Sequence, residues 1–174
     1  MKNLILIFVI LTFVSCGGSR YLIVTKIDQF DGYTSNIMYA NWIEANGKGE
    51  IGFNVQKLTS KDSTVHYNII IQMYNMRNWF FIEQGESLVL LIDGVRIGFT
   101  GEGSTERRNM DALPDLAVLE ETAFYSVTLD QLRSIANAKD VKIKVQGIYY
   151  STEGSLTASN LMNLRQFLKE YANK

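Results

Sequence analysis

The sequence predicts an α+β fold: a mainly antiparallel β-sheet or sandwich, with a short helix near 129–138 and a C-terminal helix near 158–172. Three observations predict it. Apolar residues recur with a period of two through most of residues 21–150, the period of half-buried strands. Asp93-Gly94 separates two such runs, and this dipeptide tolerates the positive φ of a tight two-residue hairpin turn. The period then lengthens to that of a helix after Thr128 and again in the last seventeen residues, and runs of strands followed by helices argue for α+β.

The elements follow in order. Residues 21–27 (YLIVTKI) and 35–40 read as strands. In EIGFNVQKL, Ile51, Phe53 and Val55 share one face while Glu50, Asn54 and Gln56 share the other, and VHYNIIIQMY (65–74) returns beside it after the polar turn TSKDST. A further strand is expected near 79–82, and SLVLLI (87–92) pairs with VRIGFT (95–100) across Asp93-Gly94. The glycine-rich, charged stretch 98–109 reads as a mobile loop, followed by strands at 117–127 and 141–150. Thr128 with Gln131 three residues on forms a capping box, opening a helix whose apolar side is Leu129, Leu132, Ile135 and Ala136. Residues 128–140 are long enough for a crossover between parallel strands. Leu161, Leu164, Leu168 and Tyr171 mark the buried stripe of the last helix, leaving Asn163, Arg165, Gln166 and Glu170 for solvent.

With 47% hydrophobic and 20% charged residues, 13 glycines and one proline, the chain has the balance of a globular protein rather than a disordered one. Residues 4–14 (LILIFVILTFV) form an uncharged apolar run after Met1, Lys2 and Asn3. The run is far short of the roughly 20 apolar residues that cross a bilayer. A positive start, a short apolar stretch and small residues after it are the parts of an export signal. The segment FVSCGGS then resembles a bacterial lipoprotein leader, whose apolar-then-small box ends at a cysteine that is lipidated and becomes the mature first residue. Val14 and Ser15 suit the two positions before that cysteine, while Phe13 stands where the class usually carries leucine.

The resemblance implies a cleaved signal peptide (1–15), a lipidated Cys16 on a short tether (16–20) and a single domain over 21–174. It also implies a location on the outside of the cytoplasm, lipid-anchored in the bacterial cell envelope, with the outer membrane expected in preference to the inner. Cys16 is the only cysteine, so no disulfide forms within the chain. Its glycine-rich surroundings lack the fold-held base that a nucleophile requires. Extended fully, the tether reaches on the order of 14 Å, which holds the domain close to the membrane. Without the leader the chain loses Lys2 and carries sixteen basic against eighteen acidic residues, so neither nucleic acid nor anionic headgroups are expected as the main partner.

Residues that could carry chemistry are few. His66 is the only histidine, which rules out a His/Cys zinc site within one chain, and it falls in a predicted strand as an exposed or hydrogen-bonded side chain. Glu120 and Glu121 are adjacent in a strand and point to opposite faces, so they cannot act as a pair. Either could still meet Asp111, Asp115 or Glu102 at a glycosidase-like separation. Arg107 and Arg108 are candidates for anion binding, although the stretch around them lacks a phosphate-loop pattern. Trp42, Trp79 and Tyr150 are candidates for a ring platform facing sugar, peptide or protein.

No catalytic set, metal or cofactor emerges. The reading is a non-catalytic envelope lipoprotein binding another envelope protein or a glycan polymer. Two alternatives stay open: a carboxylate-dependent hydrolase of envelope glycans, and a small-ligand carrier with an apolar cavity between sheet and helices.

Overall fold

A computed structural model describes residues 21–46, 49–76, 78–111 and 117–172; the leader and tether lie outside the described residues. The described chain is mostly antiparallel β-sheet with two helices, the α+β class expected. Its strands are β1 (Leu22–Ile27), β2 (Thr34–Tyr39), β3 (Trp42–Glu44), β4 (Glu50–Thr59), β5 (Val65–Met76), β6 (Gly85–Ile92), β7 (Val95–Gly101), β8 (Glu106–Asp111), β9 (Ala117–Val127), β10 (Val141–Gln146) and β11 (Ser151–Ser155). The helices are α1 (Leu129–Asn137) and α2 (Ala158–Phe167), the latter extended by a π-helical turn, Leu168–Ala172.

All eleven strands join one sheet in the order β1-β2-β4-β5-β9-β7-β6-β10-β11, with β3 beside β2 on β4 and β8 beside β7 on β9. The sheet curls until its last strand meets β3: Ala45 bridges Gly154, and the Asn46 amide donates to the Glu153 carbonyl at 2.7 Å. Both predicted hairpins form. β4 and β5 pair from Glu50↔Tyr74 to Thr59↔Val65, and Ile92↔Val95 closes the turn in which Asp93 and Gly94 take φ of 47° and 87°.

One core fills the curl. Phe53, Val55, Ile69, Ile71, Leu88, Leu90, Ile143 and Val145 from the sheet pack with Leu132, Ile135, Leu161, Leu164 and Phe167 from the helices. Both helices start from capping boxes, Thr128 with Gln131 and Thr157 with Asn160. The Arg165 Nε donates to the Ala136 carbonyl at 2.8 Å and ties α2 to the end of α1. Lys57 reaches from β4 to donate to the Tyr171 carbonyl at 2.7 Å, a cation at the negative end of the C-terminal helix.

Several expectations are corrected. The α1 connection spans antiparallel strands, since β7 and β6 lie between β9 and β10 and every pairing in the sheet is antiparallel. Residues 98–109 are no single loop: Gly98–Gly101 end β7 and Glu106–Asn109 belong to β8, paired along β9. At 79–82 only Ile82 pairs, through an isolated bridge to Gly147, and the strand from 141 ends at Gln146 because 147–150 turn into β11. Asn163 is buried rather than turned to solvent.

β7 joins β9 through a single pairing, Gly101↔Tyr125. A Cβ built on Gly101 would lie 2.8 Å from Tyr125 Cε1 and 2.9 Å from the Phe124 carbonyl oxygen. Gly101→Ala is therefore expected to overpack the corner by about 2 kcal/mol. A thermal melt should show this as a loss of about 4–8 °C.

Candidate functional site

Strand alternation gives β2, β4, β5 and β9 two faces. One face carries Phe53, Ile69 and Ile71 into the core with the helices. The other is also largely shielded: Ile37, Ile70, Asn54, Ser35 and Thr122 are buried although Ile37 and Ile70 lie outside the helix-packed core cluster. They are shielded because this second face is concave. It forms a trough of about 650 Å³, walled on one side by the β1–β2 hairpin through Lys26, Ile27, Asp28 and Tyr33. Its floor includes Gln56, Ile70, Gln72, Glu120 and Phe124. The volume falls within the roughly 300–1,000 Å³ of ligand pockets.

The hairpin that walls the trough is itself ordered by Asp28, whose Oδ1 accepts from the Phe30 and Asp31 amides at 2.8 and 3.0 Å. Gly32 turns the chain back at φ 73°. At its tip Phe30 is fully exposed.

A head-to-tail chain of amides crosses the floor. Asn160 of α2 donates from Nδ2 to Asn41 Oδ1 at 2.8 Å, and the Asn41 backbone amide donates to Asn54 Oδ1 at 3.3 Å. Asn54 Nδ2 then donates to Gln72 Oε1 at 2.6 Å, and Gln72 Nε2 to Glu120 Oε1 at 3.0 Å. The Asn41 backbone N–H fixes the direction: it can only donate, so Asn54 Oδ1 accepts, Asn54 Nδ2 donates to Gln72, and Gln72 Nε2 is turned toward Glu120. A second rung runs alongside, with Asn68 donating to Gln56 at 3.0 Å and Gln56 to Ser35 at 2.8 Å. The chain starts where the backbone kinks between β2 and β3, at Ala40 with φ 61°, a conformation held by the buried Asn41.

The expected ring platform divides in two. Trp42 stands on the trough side of the sheet beyond its end, with Tyr74 at a centroid distance of 5.5 Å. Trp79 lies in the segment before Ile82, 6.4 Å from Phe81, which lies 6.2 Å from Tyr149. Tyr150 meets Phe80 edge-on at 4.9 Å in the same neighbourhood. Tyr149 is largely exposed and Tyr150 about half so; the partial burial of Tyr150, followed by the Glu121 charge, pushes its phenol above the usual range.

Glu121 organises that second cluster from below. Buried at 1% exposure, its carboxylate accepts from the Phe80, Phe81 and Ile82 amides at 2.5, 2.8 and 3.1 Å, and from Ser104 Oγ at 2.5 Å. This holds Phe81 at φ 54°, an uncommon conformation for an aromatic residue. Tyr125, on the same side of β9, bonds Ser87 Oγ at 2.9 Å, and burial raises its phenol pKa.

Of the carboxylates that a glycosidase would bring together, the three described, Glu102, Glu120 and Glu121, are dispersed. Glu120 lies in the trough and Glu121 on the opposite face, while exposed Glu102 accepts from Gln84 at 3.0 Å. Asp115 lies outside the described residues, and Asp111 is described only as a backbone position opposite Ala117. Arg107 and Arg108 sit in register opposite Glu121 and Glu120 on β8; their side chains lie outside the description. His66 is exposed on β5, as expected.

The trough residues themselves carry no motif. The signal available for them was the triplet Ile69-Ile70-Ile71, which a strand with one wet face would not contain. Comparison with protein-family models, curated proteins and solved structures finds no match for this chain.

Proposed function

We propose that the chain is an envelope lipoprotein, anchored through Cys16 and preferentially in the outer membrane, whose domain is a non-catalytic binding module. One observation carries the binding part: a concave sheet face turned away from both helices, with its polar side chains ordered by mutual hydrogen bonds. A face meant only to be wetted needs no such order. The leader residues support the anchor, and no helix among the described residues is long and apolar enough to cross a membrane. The carrier reading gains a site on the opposite side of the sheet from the one it required, since the space between sheet and helices is packed with side chains. The hydrolase reading draws no support from the dispersed carboxylates.

Two acyl signals suffice for stable anchoring. Membrane fractions of cells expressing the full chain should therefore contain a product that begins at Cys16 and carries lipid, as read by mass spectrometry. Cys16→Ser should leave the leader uncleaved or the chain unlipidated. An unmodified Cys16 in the native protein, or a mature chain that keeps residues 1–15, ends the anchor proposal.

A further inference from the structure

We infer that the trough takes a neutral oligosaccharide, held between the Gln72–Glu120 end of the amide chain and the rings of Tyr33 and Phe124. The inference rests on the binding-module reading and narrows it to a ligand class.

Charge comes first. Among the described lining residues only Lys26, Asp28 and Glu120 are ionic, and Asp28 already uses one oxygen on the Phe30 and Asp31 amides. A lone lysine beside two carboxylates offers little to an anion. Glu120, tied by Gln72 and accompanied by Lys26, is likewise no acidic pocket for a polycation. An uncharged ligand fits this balance.

Hydrogen-bonding capacity comes next. Gln56 and Gln72 each have two carboxamide hydrogens, of which the rungs use one, and Glu120 has a second oxygen with lone pairs to offer. Ser35 and Thr122 add hydroxyls. Such a floor mixes donors and acceptors at close spacing, the complement of adjacent sugar hydroxyls. Because the floor amides are pinned in direction by the Asn41 backbone amide, these groups are preorganised, and binding loses little side-chain entropy.

Apolar contact completes the site. Tyr33 and Phe124 present ring surface beside the polar rungs, backed by the buried Ile37 and Ile70 and suited to the C–H faces of a pyranose. An acyl chain laid over the same floor would cover amide hydrogens without replacing their bonds, at a cost. An extended peptide usually gains affinity by pairing its main chain with an open strand edge. The floor strands β2, β4, β5 and β9 are each flanked by paired strands on both sides and offer none there.

The test uses the full chain in a sugar-free detergent, isotopically labelled, with amide chemical shifts as the readout. Neutral oligomers of glucose and of N-acetylglucosamine are titrated to about 10 mM, enough to register millimolar affinity. At least one should move amides grouped at 35–39, 54–58, 68–72 and 120–124. Tyr33→Ala, a change on the half-exposed hairpin wall, and Glu120→Gln should each weaken that titration about tenfold. Oligogalacturonate and a tetralysine peptide are the charged counter-probes. If either moves the trough amides and the neutral sugars do not, the ligand class is wrong while the binding module stands. If no neutral sugar moves the trough, or one binds equally well to both variants, the inference is overturned. Should all probes leave the trough amides still, the binding-module reading falls with it.

Discussion

Glu121→Ala is expected to destabilise the protein by about 3–5 kcal/mol, as a reduced urea midpoint with an unchanged slope. The substitution removes an acceptor shared by three backbone amides and one hydroxyl, in a place where water does not replace it. Each orphaned donor costs about 1–3 kcal/mol. Part is recovered because Ser104 Oγ still accepts from the Ile82 amide at 2.9 Å. With global stabilities of about 5–15 kcal/mol, the loss is a large fraction of the whole. Glu121→Gln keeps one accepting oxygen and should cost less than half as much. Equal midpoints for the Ala and native chains would show that the carboxylate does not hold Phe80–Ile82 in place.

Asn41→Ala is the second large effect, expected at about 2–4 kcal/mol by the same measurement. Asn41 Oδ1 accepts from both Asn160 and Asn163 of α2, and its Nδ2 donates to the Phe53 carbonyl at 3.0 Å. The side chain is fully buried, so its removal strands the carbonyl and takes an acceptor from two amides. Asn160 keeps the Trp42 carbonyl at 3.0 Å, which limits the loss. Alanine keeps the backbone amide that donates to Asn54 Oδ1, so the rungs from Asn54 to Glu120 should stay in place while hydrogen exchange quickens in α2, where Asn160 and Asn163 lose their shared acceptor. Exchange that quickens equally at 54 and 72 would mean that the trough floor depends on the Asn41 side chain.

The contrast between these two sites explains what could be read in advance. β4 and the β6–β7 hairpin announce themselves, because alternation of Ile51, Phe53 and Val55 and the Asp93-Gly94 turn are local signals. α1 does too, through Thr128 and Gln131. β11 does not: its sequence STEGS has no apolar residue, and it is a strand because β10 pairs with it. β3 has three residues, and β8 reads ERRNMD, with charge where alternation would be sought. Asn163 reads as a solvent residue because an asparagine beside a leucine stripe usually is one, and Asn41, 122 positions earlier, gives it a buried partner. The trough was hidden for a related reason. Gln56, Gln72 and Glu120 read as the wet side of their strands, and concavity is a property of the whole sheet rather than of any one segment.

The seam between β3 and β11 sets an order of events. Ala45 and Gly154 are joined across most of the chain, and α2, which fills the space behind them, follows β11 in sequence. A chain made from its N-terminus can pair β4 with β5 early, since their hairpin is local and its loop closure is cheap. The apolar side of that hairpin, Phe53, Val55, Ile69 and Ile71, then waits for Leu161, Leu164 and Phe167 to be synthesised. Residues made long after the β4–β5 hairpin are thus the ones that make it soluble, and a truncation before α2 exposes a sticky sheet rather than merely shortening the protein.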